Sequence, residues 1–435
     1  MTTTFAERLE HARKEQECGE VDGAFCELRW AFYEPDLAHD AERLTQALQV
    51  LSPLVLEALG NETARLVEAC VGDLDDPQGL YDLGYQMVEV GLPEVAICTL
   101  SRANHLAPGQ EAILTELVAA LEREGHNDTA CTVLRAADGL CQESFICRYL
   151  LAFNSIMTAD LDTPRTLLPT LQTAGEPDEA YMAARIQAML DRAGALDSLD
   201  RRDLRGWHHV TTGGLLLHIS PYGFDEGMNG RYAYVADTLA LCHFGLRRLQ
   251  RVLEAWGESP PWILAPPDRD SQILAAAAEE LLGLPVVEYS ADAGPGLVVA
   301  YDLSRLDEAT PVEILDHAPG QILYAHATCW TDPPRCAPDI TTFLYQAIQV
   351  PWGERMQVAP DGEVSATAQD VRSVEELASA MLAEAPDYEA LEQLDPEDQL
   401  VQVATVMGPR MAFRGPPGPR SPLWEGGPVT SNRFV

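Results

Sequence analysis

The chain has 435 residues, of which 46% are hydrophobic, and this is enough to fill the cores of two or three domains. Its formal net charge is −39, from 68 acidic and 29 basic side chains. A field of that sign repels nucleic-acid phosphates and anionic lipid headgroups, so the composition predicts partners that are neither nucleic acids nor membranes.

Lysine and cysteine usage narrow the class of protein further. Lys14 is the single lysine, which excludes P-loop, protein-kinase and pyridoxal chemistry, because each needs a lysine within a specific motif. The ten cysteines lack paired short spacings and are expected to be reduced thiols. A polar first segment and the absence of any run of about 18 apolar residues predict a cytoplasmic protein. No cofactor is expected.

Residues 1–200 carry apolar side chains at helical spacing, which predicts a helical domain. Between residues 77 and 142 this pattern repeats with a period of 34. Two helices per repeat are expected, with Gly91 and Gly125 at the turns between them. The matching positions are Leu80, Leu83, Gly84, Met87, Gly91, Ala96, Leu100 and Ala103 in the first repeat, and Leu114, Leu117, Val118, Leu121, Gly125, Ala130, Leu134 and Ala137 in the second.

The order of residue types in these repeats resembles the tetratricopeptide repeat. One helix carries a large residue, Leu, Gly and a large residue, and the next carries Ala, a large residue and Ala before Pro108. The resemblance implies a solenoid of helix pairs that binds a protein or peptide partner. A further shift by 34 places Arg148, Ser155 and Pro164 at core positions. The sequence therefore predicts two regular repeats, as many as four degenerate ones, and a last helix at 178–193.

Strand-like and helical segments alternate between residues 206 and 352. This alternation predicts a three-layer α/β domain, in which a mostly parallel sheet has helices on both faces. The run 296–303 (GLVVAYDL) is expected to be a central strand because it is almost entirely apolar. The other expected strands are 214–220, 262–266, 284–289 and 321–327, and the expected helices are 232–256, 271–282 and 341–349.

Residues 353–435 are predicted to form an acidic helical segment, at 374–384, and then an extended tail rich in Pro and Gly. The aromatic side chains of Phe413, Trp424 and Phe434 indicate that this tail wraps the body of the protein or contacts a partner.

Two polar clusters lie before and within the α/β domain. The sequence predicts a solvated linker helix around Arg201, Arg202 and Arg205, and strand positions for His208, His209 and His218.

Ligands of open α/β sheets bind at the carboxyl ends of the strands, where loops from neighbouring strands converge. The loops expected at this edge are 221–231, 267–271, 302–310 and 326–336. Their acids and arginines suit a sugar-like or nucleoside-like ligand with hydroxyl or amine donors and one anionic group, and they disfavour a polyphosphate. The candidate ligand-binding residues are Arg231, Asp268, Arg269, Asp270, Asp302, Arg305 and His326.

Residues 262–327 also resemble the phosphoribosyltransferase fold. The resemblance rests on the run WILAPPDRDSQILAAAAEELLGLPVV, which has the order strand, loop, alanine-rich helix and Leu-Gly-x-Pro turn, and on the later strand LVVAYDLSRL. It implies the sheet topology of that family. Asp302 matches one of the family's two acids and Tyr301 replaces the other, while Asp268 and Asp270 would repel a diphosphate. The sequence therefore predicts a degenerate domain of this type.

Two functions remain open. The first is an interaction scaffold, whose repeats bind a protein or peptide partner and whose α/β domain is non-catalytic. The second is an enzyme or sensor of a small sugar-like or nucleoside-like ligand. The sequence favours the first, because the repeats are its most specific motif.

No metal is expected, because the spacing of His326, Cys329 and Cys336, with His317 nearby, matches no standard zinc motif.

Overall fold

The chain divides into two units, Met1–Ile186 and Gln187–Val435. The first is helical, and the second contains a mostly parallel sheet with helices packed on it. This is the helical plus α/β architecture that the sequence predicts. Residues 307–310 of the expected 302–310 loop, and Phe434, lie outside the described residues. The computed structural model describes residues 3–173, 175–290, 293–306, 314–358, 364–384, 388–392, 394–424 and 426–433.

Local signals in the sequence set several helix boundaries in the first unit. Thr4 and Glu7 form a capping box at the start of the first helix. Asp76 accepts a hydrogen bond from the Gln78 amide at the start of the fifth, where Pro77 needs no partner for an amide. The helices of this unit are α1 Phe5–Glu17, α2 Val21–Phe32, α3 Ala41–Leu59, α4 Asn61–Gly72, α5 Pro77–Glu89, α6 Pro93–Leu106, α7 Glu111–Arg123, α8 Asn127–Ala136, α9 Asp138–Glu143, α10 Phe145–Met157 and α11 Asp162–Leu171, and α12 Pro177–Ala193 runs on into the second unit.

The helix boundaries repeat with the period of 34. α5 and α6 begin at Pro77 and Pro93, and α7 and α8 begin at Glu111 and Asn127. α10 begins at Phe145 and continues the series, with α11 as its partner, although the short helix α9 comes first. Within the described residues, three successive helix pairs therefore follow one period.

The third pair keeps the core pattern although its sequence is more polar. Ser155 and Pro164, which the shift places at core positions, are buried, and Arg148 is half-buried. In the first two pairs, Gly91 and Gly125 lie between the helices with φ of 79° and 70°. Glycine adopts this left-handed conformation without steric cost, so both turns keep the same length.

Small residues bring α5 and α6 close together. A Cβ atom placed on Gly84 would lie 2.8 Å from Leu100 Cδ2, which is well inside van der Waals contact. Leu100 itself is fully buried, as are Leu80 and Ala96. The core between these helices is therefore filled by large residues that face small ones.

The second unit contains a sheet of seven strands and four further short strands among its described residues. The strands are β1 Leu215–Leu216, β2 Tyr232–Ala236, β3 Ile263–Ala265, β4 Val286–Glu288, β5 Gly296–Asp302, β6 Asp316–His317, β7 Gln321–Cys329, β8 Ile340–Gln349, β9 Arg355–Val358, β10 Val364–Thr367 and β11 Gly418–Pro419. The sheet has the strand order β1-β8-β7-β5-β3-β4, and β2 also pairs with β8, further along that strand than β1. All its pairings are parallel. Every residue of β5 and β7 is buried, so GLVVAYDL is a central strand, as the sequence predicts.

The helices of this unit share one hydrophobic cluster with alternate strand residues, including Val299, Tyr301 and Tyr324. The intervening residues, such as Val298 and Ala300, belong to a second cluster. This alternation is expected for a sheet that is buried on both faces. The helices in the shared cluster are α14 Leu239–Trp256, α15 Arg269–Leu282, α16 Val374–Ala383 and α18 Glu397–Met407, and the unit also contains α13 Leu204–Thr212 and α17 Tyr388–Glu392.

Two segments that the sequence analysis assigns to helices are strands. The helix expected at 341–349 is wrong, because these residues lie in β8, and the start of the helix expected at 232–256 is wrong, because 232–236 form β2. The segment ITTFLYQAIQ is rich in β-branched and aromatic residues, which pack well on a pleated sheet. Short apolar runs give no clear period, so spacing alone did not separate the two structures.

The strand positions expected for His208 and His209 are also wrong, because both residues lie in the buried helix α13. Asp203 caps this helix by accepting a hydrogen bond from the Gly206 amide at 2.8 Å, and Gly213 ends it with φ of 77°. Both signals are present in the sequence. They define a helix too short to show a clear hydrophobic period.

Arg205 is buried, so the expected solvated linker helix is wrong at this residue. Its Nη2 lies 2.8 Å from both carboxylate oxygens of Asp395, and Arg248 Nη1 lies 2.7 Å from one of them. Burial alone would raise the pKa of Asp395, but the hydrogen bond from His218 and the two guanidinium charges hold it well below its usual range. Asp395 of the carboxyl-terminal segment is therefore tied to the helices that contain Arg205 and Arg248 through a buried ionic group.

The carboxyl-terminal tail contacts the body of the unit at several points. β11 pairs with β6, and Arg420 forms a buried ion pair of 2.6 Å with Asp339. Phe413 lies 5.8 Å from Trp256 between ring centroids. These contacts agree with a tail that wraps the α/β unit.

Among the described residues, no helix has both the length and the apolar character needed to cross a membrane.

Candidate functional site

The structure distributes the seven candidate residues over separate groups of hydrogen bonds. Asp270 and Arg305 are brought together, with Arg305 Nε 3.2 Å from Asp270 Oδ2. The other carboxylate oxygen of Asp270 accepts a hydrogen bond of 2.6 Å from Trp352 Nε1. Arg305 is exposed, so this pair is a surface contact at the ends of the strands, where it contributes little stability.

Asp268 and Arg269 lie at the start of α15. Asp268 caps the helix by accepting a hydrogen bond of 2.8 Å from the Ser271 amide, and burial raises the pKa of Asp268. Arg269 Nη2 donates to the main-chain carbonyls of Asp370 and Arg372, each at 2.9 Å. Asp268 therefore stabilises the start of α15, and Arg269 fastens the segment 370–372 to it.

Asp302 is buried at the end of β5 and receives its hydrogen bonds from its own loop and from β8. Its Oδ1 accepts bonds from the Ser304 amide at 3.0 Å and hydroxyl at 2.7 Å, and its Oδ2 accepts one from the Tyr345 hydroxyl. Burial raises the pKa of Asp302. This carboxylate is consequently satisfied by protein donors.

His326 belongs to a different group, which is centred on Asp237 at the end of β2. Asp237 Oδ2 lies 2.6 Å from the Tyr301 hydroxyl, 3.2 Å from His326 Nε2 and 3.4 Å from Cys242 Sγ. All four side chains are buried. Sequence reasoning missed Asp237, because β2 was assigned to a helix and no motif surrounds this residue.

The Asp237 group contains residue types that bind metals, but its side chains are already hydrogen-bonded to one another. In the part of the chain that the structure describes, Asp237, Cys242 and His326 form the one group of potential metal ligands, with ligand atoms within 4.8 Å of one another. Three donors already converge on a single carboxylate oxygen. Burial and the Asp237 charge raise the pKa of Cys242 well above its usual value, which favours a thiol that donates to the carboxylate.

Arg231 is the candidate residue that lies beside a large cleft. Its guanidinium is buried, lies 5.2 Å from the ring centroid of Trp330 and donates to the Ser431 hydroxyl at 2.6 Å. No carboxylate pairs with it among the described residues, and its Nε has no hydrogen-bond partner there. Burial lowers the pKa of Arg231 to about 10.

The cleft beside Arg231 has a volume of about 760 Å³ and runs along the open edge of β2. Tyr222 and Tyr234 line it with exposed fractions of 62% and 58%, and Glu226 and Leu241 also contribute. It is therefore an amphipathic cleft with one buried cation at its side. Asp268, Asp302 and His326 do not line it.

A second cleft, of about 380 Å³, lies within the helical unit. One wall is the segment 32–39, which follows α2, and the other is α6 with the start of α8. Glu34, Asp36 and Glu94 contribute carboxylates, and no arginine or lysine among the described residues lines the cleft. Its full lining is Phe32, Tyr33, Glu34, Pro35, Asp36, Leu37, Ala38, His39, Glu94, Ile97, Cys98, Ser101, Leu121, His126 and Thr129.

No protein-family model matches this chain, and no curated protein matches its sequence.

Proposed function

We propose that this protein is an interaction scaffold. Its helical unit is a tetratricopeptide-like domain that binds a peptide segment of a partner protein, and its α/β unit is non-catalytic. The observation that carries the proposal is the recurrence of helix boundaries every 34 residues through three pairs. Stacked helix pairs of this kind leave extended surfaces on which peptides bind.

The arrangement of polar groups in the α/β unit supports the non-catalytic role. Catalysis needs an acid, base or nucleophile that can reach a substrate in a cavity. Asp302, His326 and Asp237 are instead buried and hydrogen-bonded to protein groups. Asp270 and Arg305 contact each other. These side chains stabilise the unit around its sheet.

The test is a selection of peptides from a displayed random library on the intact protein, followed by calorimetry with the selected peptides. Ser101→Arg places a long side chain in the cleft of the helical unit, and we expect it to weaken binding about tenfold or more. Thr132→Arg adds the same charge at an exposed position of α8 outside the cleft and should leave binding unchanged. The absence of any selected peptide, or equal binding by both variants, would contradict the proposal.

A second candidate function is supported by Arg231. A buried guanidinium without a carboxylate partner, beside a cleft of about 760 Å³, suits a small ligand with an anionic group and an apolar or sugar-like body. Thermal shifts with a panel of sugar acids and nucleosides test this function. Binding to the wild type that is lost in Arg231→Met, but kept in the exposed control Arg247→Met, would support a ligand sensor instead of a scaffold alone.

A further inference from the structure

Glu94 is a buried carboxylate at the wall of the cleft in the helical unit. It lies in the first turn of α6 and has an exposed fraction of 5%. Its hydrogen bond is to its own backbone amide, and no ion pair engages it among the described residues. Burial raises the pKa of Glu94, while the charge of Arg29 lowers it and that of Glu124 raises it. The carboxylate is therefore buried without a cation in direct contact among the described residues.

The arginines near this cleft are engaged elsewhere. Arg29 Nη2 lies 3.4 Å from both carboxylate oxygens of Glu124, which also accepts a hydrogen bond from the Tyr33 hydroxyl. Arg43 lies 3.0 Å from Glu34 at the rim. These two guanidinium groups therefore pair directly with other acids, and Arg29 acts on Glu94 through its charge without forming an ion pair with it.

The rest of the cleft suits the aliphatic part of a long basic side chain. Leu37, Ile97 and Leu121 provide an apolar surface. The volume of about 380 Å³ is within the range of ligand-binding clefts. Lysine and arginine side chains bury their methylene groups against such a surface while their charged ends reach a polar partner.

We propose that this cleft binds a lysine or arginine side chain of a partner peptide, with its cation against Glu94. The inference rests on the proposed function and specifies the class of peptide that the helical unit recognises. A neutral donor would bring no charge to balance the carboxylate, whereas a cation forms the stronger, charge-assisted hydrogen bond. An acidic peptide would be repelled by Glu94 and by the net charge of −39.

The chain offers a matched control for Glu94. Asp128 lies 34 residues later, in the first turn of α8, but its side chain is exposed and does not line the cleft. Glu94→Gln and Asp128→Asn both remove one negative charge from the same position of a repeat and keep the side-chain shape. A difference in peptide binding between the two variants is therefore due to the position of Glu94 in the cleft and not to the change in net charge.

The experiment measures binding of four labelled heptapeptide pools to the intact protein. Each pool has randomised flanks, blocked ends and a fixed central lysine, arginine, glutamine or glutamate. We expect the lysine and arginine pools to bind about tenfold more tightly than the glutamine pool. Glu94→Gln should remove that preference and retain the binding of the glutamine pool, while Asp128→Asn keeps the preference. Thermal midpoints of the three proteins confirm that each variant is folded.

Other results overturn the inference in distinguishable ways. If the pools bind equally well to the wild type, or Glu94→Gln keeps the basic preference, peptide binding stands and the role of Glu94 is wrong. If no pool binds, the proposed function fails together with the inference. If spermidine binds in a Glu94-dependent manner while no peptide does, the cleft takes a free amine and the peptide partner is wrong.

Discussion

Gly84→Ala tests the close packing of α5 and α6, on which the repeat assignment depends. The added Cβ would lie 2.8 Å from Leu100 Cδ2 and closer still to Leu100 Cγ. Carbon atoms in contact prefer about 3.5 to 4.0 Å, so Leu100 has to move by about 1 Å. Leu100 is fully buried and has little room for that movement.

The expected cost follows from two opposing effects. Overpacking of a core costs about 1 to 3 kcal/mol, because neighbouring side chains leave their preferred rotamers. Alanine in place of glycine within a helix recovers about 0.5 to 1 kcal/mol of conformational entropy. Gly84→Ala should therefore destabilise the helical unit by about 0.5 to 2 kcal/mol. The equivalent position of the next helix pair is occupied by Val118, which is also buried. The close approach that requires glycine at position 84 is therefore specific to α5 and α6.

Gly139→Ala is the control, because a Cβ at this helical position of α9 would meet no atom within 4 Å. This variant should gain up to about 1 kcal/mol from the same entropy effect. Urea unfolding gives the free energies, and amide hydrogen exchange shows whether the loss is confined to the helical unit. Equal or greater stability of Gly84→Ala than of the wild type would refute the packing argument.

Two further predictions concern the α/β unit. Asp395→Asn leaves the guanidinium groups of Arg205 and Arg248 buried without their carboxylate, so we expect a loss of about 3 to 5 kcal/mol in urea unfolding, whereas Asp398→Asn at an exposed position should have almost no effect. Burial, followed by the charge of a nearby arginine, lowers the pKa of His209 to about 3, against an ordinary value of 6.5. The unfolded chain therefore binds a proton below pH 6.5 that the folded chain does not, and stability should fall as the pH drops from 6.5 towards 3. Between pH 7 and pH 4 the wild type should lose about 3 kcal/mol more than His209→Gln, and parallel pH profiles of the two proteins would contradict this assignment.

The helical unit shows what a sequence period can predict. Two pairs were identified because their apolar residues coincide after a shift of 34, and the helix boundaries coincide in the same way. The third pair was harder to recognise, because Ser155 and Pro164 do not resemble core residues. Ser155 Oγ lies 3.7 Å from Cys131 Sγ, so a buried polar contact replaces an apolar one. Pro164 lies in the first turn of α11, where its missing amide costs no hydrogen bond.

The α/β unit was predicted at the level of its parallel sheet and central strand, but not at its edges. β2 has 5 residues and β8 has 10, and runs of this length do not separate the helical period from the strand period. Their assignment decides where the strand ends lie, and so which polar residues approach one another. Asp237 was missed for this reason. Arg231 was included because it ends a glycine-rich loop, and the structure places it beside a cleft.

Glu94 had no signal in the sequence, because an acidic residue in the first turn of a helix is common and stabilises the helix dipole. It lines the same cleft as the segment 32–39, which is about 60 residues away in the chain. A local pattern cannot report such a contact. The position one period later, Asp128, has the same place in its helix and remains exposed.

Specific recognition by such an acidic protein has to come from buried charge and not from net charge. The net charge of −39 attracts any cation, but this attraction between exposed charges is screened over about 8 Å at physiological ionic strength and does not distinguish one basic segment from another. Glu94 differs from the exposed acids because folding has already removed most of its water. A cation that reaches it meets little further desolvation of the carboxylate and is held against an apolar wall. In the proposed recognition, Glu94 selects one position of a basic partner, and the surrounding acids increase the rate at which such partners arrive.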